Sequence, residues 1–141
     1  METPTATPDA QLLAAARRAA GRAYAPYSSF SVGAAALAPS GAVTLGCNVE
    51  NAAYGETICA ERNAVTTLVA DREPGEAPAL EAVAVVGLKA NPCWPCGACR
   101  QVLREFGCRR VVVEGPDGEA LSVPFEEILP HSFGPEALEG R

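Results

Sequence analysis

Three cysteines fall within eleven residues in the stretch NPCWPCGACRQ, at positions 91–101. They pair either as Cys93-x-x-Cys96 or as Cys96-x-x-Cys99, and both spacings suit a metal site. Any fold for this chain must bring a further ligand to that loop. The chain has one histidine, His131, far along the sequence from these cysteines, so a zinc site here must be mostly thiolate. There are six cysteines among 141 residues. The N-terminal METPTATPDAQ has no positive charge ahead of an apolar stretch, so it does not read as a secretory signal. A cytoplasmic location is expected, where cysteines serve as ligands or buried thiols rather than disulfides.

Composition narrows the function classes. With 48% apolar and 20% charged residues, the chain can bury one hydrophobic core, and a single domain spanning 1–141 is expected. Tails at about 1–8 and 134–141 are expected to be flexible. The net charge of −6 argues against a nucleic-acid backbone or an anionic membrane surface as partner. No apolar run approaches the ~18 residues of a membrane span.

Local patterns give an element order. Asp9 can cap a helix running to about Ala23, with Leu12, Leu13, Ala16, Ala19 and Ala20 on its apolar face. FSVGAAALA and AVTLGCNVE read as a hairpin about the turn PSG. CAERNAVTTLVADR has helical spacing, LEAVAVVGL is a central strand, and CGACRQVLREF is a helix ending at Gly107. RRVVVEG and EALSV are strands, and Pro124 opens a short last helix. The order α-β-β-α-β-α-β-β-α predicts an α/β fold, a three-layer α-β-α sandwich with a mixed sheet of about five strands.

Cys59 and Cys96 each open a predicted helix, where the partial positive charge of the N-terminus favours thiolate. Cys96 and Cys99 lie three apart on one helix face. Cys93 precedes Trp94-Pro95, where the chain ahead of a proline is pushed to extended geometry, and so stands outside the helix. Cys96 and Cys99 are therefore taken as the pair and Cys59 as the third ligand, with Cys47, Cys93 and Cys108 as packing thiols. Three ligands leave a tetrahedral zinc one open position, the arrangement of catalytic sites. Water there becomes acidic and needs a proton acceptor beside it. Glu61 is the candidate, provided Cys59 stands at the helix start, because i and i+2 diverge within a helix.

CAE at 59–61 followed by PCGACRQ at 95–101 resembles the signature of the zinc nucleoside and nucleotide deaminases. Cysteine before the glutamate is similar to the small homotetrameric cytidine deaminases. APYSSFSVGAA, GCNVENAAYG, CAERNA, PCGACRQVLREFG and ILPHSFGPEAL carry the resemblance over roughly 10–138. It implies zinc on Cys59, Cys96 and Cys99, with Glu61 as proton shuttle. The implied reaction is hydrolysis of the 4-amino group of cytidine or deoxycytidine, as in pyrimidine salvage. Phe30 would pack on the pyrimidine. Asn48 and Glu50 would hydrogen-bond the ribose 3′-hydroxyl, and an anionic Glu50 disfavours a 3′-phosphate. Ala60 and the main chain around Trp94–Cys96 would orient the base. Tyr54 and Phe133 match positions that approach a neighbour's active site in a homotetramer. Arg62 would offset the excess charge of three thiolates on zinc, and Arg100 is open between a similar role and a structural bond to the loop.

Trp94 departs from the small polar residue frequent before this proline. Two alternatives follow from the same residues. One is a related deaminase acting on a cytosine-bearing antibiotic. The other is a structural zinc module closed by Cys93 as fourth ligand.

Overall fold

The computed structural model describes residues 8–139. Within them lie α1 (Pro8–Ala20), β1 (Val32–Leu37), β2 (Val43–Cys47), α2 (Ala60–Asp71), β3 (Ala82–Gly87), α3 (Gly97–Glu105), β4 (Arg110–Glu114), β5 (Ala120–Pro124) and α4 (Phe125–Ile128). Short 3-10 turns occupy Tyr54–Glu56 and Pro135–Ala137. The element order is the one expected from the sequence.

The strands form one five-stranded sheet in the order β2-β1-β3-β4-β5. β1 pairs antiparallel with β2 and β3, β3 pairs parallel with β4, and β4 pairs antiparallel with β5. The parallel pair needs a crossover, and α3 supplies it. Alternate side chains of the inner strands separate the two faces. Ala35, Ala84, Val86 and Val112 pack with Leu12, Leu13 and Ala16 of α1. Ala34, Ala36, Val83, Val85, Val111 and Val113 pack on the other face with Ala64, Val65, Leu68, Leu103, Phe125 and Ile128. α1 thus covers one face, and α2, α3 and α4 the other, which gives the three layers.

Small residues set the spacing between layers. A Cβ on Gly33 would lie 2.0 Å from the carbonyl oxygen of Ala16, so β1 touches the backbone of α1. A Cβ on Gly46 would lie 2.3 Å from the nitrogen of Ala64 and 2.5 Å from the carbonyl oxygen of Ala60, so β2 touches the backbone of α2 in the same way. The end of α3 is fixed by Gly107, whose φ of 67° lets its N–H reach the carbonyl of Arg104 while Cys108 N–H reaches that of Leu103. This is the Schellman closure anticipated at that glycine.

Two local expectations are corrected. Asp9 stands inside the first turn of α1 rather than capping it, and its carboxylate pairs with Arg110 at 3.0 Å. α1 ends at Ala20, short of Ala23, where Gly21 turns the chain back on the carbonyl of Arg18. Side chains of α3 reach the chain at the edge of the expected C-terminal tail. Arg104 of α3 pairs with Glu136 and donates to the Ser132 hydroxyl at 2.8 Å, and Gln101 donates to the Phe133 carbonyl at 2.9 Å. Of the expected N-terminal tail, Pro8 begins α1 and residues 1–7 lie outside the described range.

Gly46→Ala is expected to lower the unfolding free energy by about 1–3 kcal/mol through overpacking against α2. Gly55→Ala, where a Cβ meets nothing within 4 Å, should stay within about 0.5 kcal/mol of the parent. Urea midpoints at unchanged m-value check both.

Candidate metal centre

Two helix N-termini meet on the face of the sheet that α2 and α3 cover. Cys59 takes the N-cap position of α2 and Cys96 that of α3, each with extended φ/ψ. Cys99 follows in the first turn of α3 and is buried. The three sulfur atoms lie within 4.8 Å of one another, and Cys59 Sγ is 3.8 Å from Cys96 Sγ. Two sulfurs on one tetrahedral zinc at ~2.3 Å stand about 3.8 Å apart, so the spacing fits that ion. All six cysteines are free thiols.

The electrostatics favour a thiolate set. Hydrogen bonding from the Cys99 thiol, aided by Cys96 and by the positive charge of Arg62, lowers the Cys59 pKa to about 6 against the desolvating effect of burial. Cys99 is pushed the opposite way, first because its proton is shared with Cys59 and then by burial and by the neighbouring negative charges. Cys59 therefore gives up its proton easily while Cys99 holds its own, which is how coupled thiols behave before a cation neutralises them.

Cys93 is not in the cluster. A Cβ added at Gly87 would lie 2.9 Å from its Sγ, which places that thiol against the end of β3. Burial and the charge of Glu61 raise its pKa to about 11, leaving it a neutral thiol. The Cys93–Cys96 pairing is thus set aside by position. Cys108 is likewise buried, and burial pushes its pKa to about 12.

Glu61 is the second residue of α2, and Cys59 precedes the helix, so the two can face the same space. Glu61 is 4% exposed, a rare burial for a carboxylate. That burial raises its pKa to about 7, with the Cys59 charge acting in the same direction and hydrogen bonding to Cys99 and to its own N–H acting against it. Ala60 beside it is fully buried.

The 48–50 segment is tied to the 27–32 stretch. The Asn48 side chain accepts from Val32 N–H at 2.9 Å and donates to the Phe30 carbonyl at 2.8 Å. Glu50 accepts from Tyr27 N–H at 2.9 Å, from Ser28 N–H at 3.1 Å and from the Ser28 hydroxyl. These bonds hold its pKa below the ordinary carboxylate range, the Ser28 hydroxyl most strongly. A cavity of about 360 Å³ opens beside Glu50, lined also by Tyr27, Ser28, Tyr54 and Thr57. Tyr54 and Tyr27 meet edge to face with centroids 5.8 Å apart. Phe30 reaches the end of β3, where a Cβ on Gly87 would lie 3.1 Å from its Cζ.

Other residues fall further out. Phe133 is 61% exposed and lies on the segment strapped to α3. Trp94 is 41% exposed. Arg100 makes the structural bond: Nε donates to the Pro95 carbonyl at 2.9 Å and Nη1 to the Ile128 carbonyl at 2.6 Å. Sequence reading missed Ser28, which links Glu50 to the Phe30 N–H at 3.0 Å. A serine two residues ahead of a loop aromatic carries no signal of that kind by itself.

The family model for the cytidine and deoxycytidylate deaminase zinc-binding region matches residues 6–114. A cytidine deaminase of Sporosarcina psychrophila is 42% identical over 130 residues, covering 91% of this chain and 93% of that one. The structure of cytidine deaminase from Burkholderia pseudomallei superposes with a TM-score of 0.75 at 46% identity, over 87% of this chain and 97% of that one. That from Mycobacterium tuberculosis gives 0.76 at 40% identity, over 92% and 99%. The chain belongs to the cytidine and deoxycytidylate deaminase family.

Proposed function

We propose that the protein catalyses the hydrolytic deamination of cytidine and deoxycytidine to uridine and deoxyuridine, with release of ammonia. The observation that carries this reading is a buried carboxylate, Glu61, with its pKa near 7, set beside three converging thiols. Cys59, Cys96 and Cys99 would hold the zinc. Zinc bound there would supply positive charge and an activated water. Arg62 offsets part of the charge that three thiolates bring.

Glu61 moves the protons. A carboxyl group poised near neutrality is suited to take a proton at one step and return it at the next. It accepts one proton from the attacking water and delivers it to N3 of the pyrimidine, then takes the proton of the new C4 hydroxyl and passes it to the departing 4-amino group. The proton count closes: the water oxygen becomes the C4 carbonyl, one water proton stays on N3, and the other leaves with the amino group as ammonia. Phe30 presents its ring to the base, and Ala60 and the main chain near Trp94 orient the base edge. Glu50, held by Tyr27 and Ser28, offers a fixed anionic acceptor to the ribose, which favours free nucleosides over phosphorylated ones.

We further propose a cytosolic homotetramer of single-domain chains in which Tyr54 and Phe133 complete a neighbour's site. Their exposures of 74% and 61% support this reading. Among the described residues no helix is long and apolar enough to cross a membrane.

Ammonia release from cytidine, deoxycytidine, adenosine and blasticidin S tests the reaction. Release from the first two is expected. Release from blasticidin S alone would keep the chemistry and overturn the substrate. Glu61→Gln should keep one zinc per chain and lose turnover by several orders of magnitude; near-normal turnover would remove Glu61 from this role. Zinc content should survive Cys93→Ala and collapse in Cys99→Ser. In the metal-free protein, ultraviolet thiolate absorbance should show one group ionising near pH 6, present above that pH and absent from Cys59→Ser.

A further inference from the structure

The segment after α4 leaves one aromatic ring in solvent while α3 holds its main chain. Phe133 is 61% exposed, yet its carbonyl accepts from Gln101 Nε2 at 2.9 Å. Arg104 holds the residues on either side. Its Nε donates to the Ser132 hydroxyl at 2.8 Å, and its Nη2 pairs with the Glu136 carboxylate. Among the described residues, the hydrogen bonds that reach 131–138 from elsewhere in the chain all come from these two side chains.

Gln101 and Arg104 stand three apart on α3 and so share one of its faces. Gly134 lets the guanidinium lie close against the segment. A Cβ there would stand 2.3 Å from Nη2, 2.4 Å from Cζ and 2.6 Å from Nη1 of Arg104. The backbone at Gly134 is ordinary extended chain, with φ −142° and ψ 178°. The glycine therefore makes room for the arginine rather than for a special turn. A guanidinium presents its donors in a fixed fork, so one side chain serves Ser132 and Glu136 at once, where the point charge of a lysine would serve one. The Glu136 side chain is 58% exposed, and an ion pair so exposed adds little to stability. What the fork fixes is the path of the chain on both sides of Phe133.

We propose that Arg104 is a positioning residue for Phe133, holding that ring where it enters the active site of another copy of this chain. This rests on the deamination and homotetramer readings above. One helix then serves two sites. The start of α3 carries Cys96 and Cys99 of its own centre, and Arg104 in its last turn fixes the aromatic lent to a neighbour. Loss of the fork frees the ring to shift, and misplacement of about 1 Å costs on the order of a hundredfold in rate. That loss falls on the neighbour's turnover and spares the centre of the chain that carries the change.

Action between subunits is read by mixing them. Arg104→Ala removes the fork, and Gly134→Ala displaces it while keeping the arginine. In the zinc-loaded protein each is expected to lower kcat/KM for cytidine by about ten- to hundredfold at unchanged zinc content. In a Phe133→Ala background, Arg104→Ala should add less than about threefold, since residues acting as a unit are not additive. Each variant is then co-expressed with Glu61→Gln chains bearing a second tag, and mixed oligomers are isolated through both tags. The Glu61→Gln chains are inactive themselves but bring an intact Arg104 and Phe133. Activity per Glu61-bearing chain is expected to rise about fivefold or more over the unmixed variant, as about half of its sites regain an intact neighbour. Should Arg104→Ala fail to assemble, Gly134→Ala carries the same test. No recovery for either variant while Phe133→Ala recovers, or parental activity of both variants unmixed, would overturn the inference and leave the homotetramer reading standing. If mixing fails to restore Phe133→Ala as well, the shared-site reading falls and the inference with it. A parent protein that releases no ammonia from cytidine would instead remove the deamination reading.

Discussion

Like charge at close range is the constraint on which the site depends. Three sulfurs within 4.8 Å cannot all ionise in a partly buried site unless positive charge converges on them. The protein supplies that charge from its backbone first, by aiming the N-termini of α2 and α3 at one point. Arg62 adds a side-chain charge, and a divalent cation completes the balance. The same crowding acts on Glu61. Burial and a neighbouring thiolate make its ionisation harder, which is what gives a carboxyl group a pKa near neutrality.

Holding two helix ends that close requires a sheet that does not yield. β3 and β4 are parallel and buried, and α3 spans the crossover between them, so the position of Cys96 follows from the sheet. α2 is set by Gly46, whose missing side chain lets β2 approach the helix backbone at Ala60 and Ala64. Layer spacing is therefore fixed by main-chain contact rather than by side-chain packing. Backbone contacts relax less than side chains, so ligand spacing inherits the rigidity of the scaffold.

Much of this was legible in the sequence. Alternation and helical spacing gave the element order, and the cysteine spacing with a glutamate two residues after Cys59 gave the centre. What could not be read was non-local. Asp9 looked like a cap because capping is a local pattern, yet its partner Arg110 lies 101 residues away. Ser132 and Phe133 carry no local signal of a tie, yet Arg104 and Gln101 of α3 reach them. Cys93 was set outside the ligand set by its place before Trp94-Pro95, and its thiol lies against Gly87, apart from the three clustered sulfurs.

The guanidinium of Arg100 joins two distant parts of the chain. One arm holds the carbonyl of Pro95, which belongs to the peptide group leading into Cys96, and the other holds the carbonyl of Ile128. The end of α4 is thereby a remote buttress for a ligand loop more than thirty positions earlier. Proteolytic trimming before residue 128 would remove one anchor of that arginine without touching any sulfur. The damage would be felt as faster escape of the ion, from a cut made in a part of the chain that contributes no ligand.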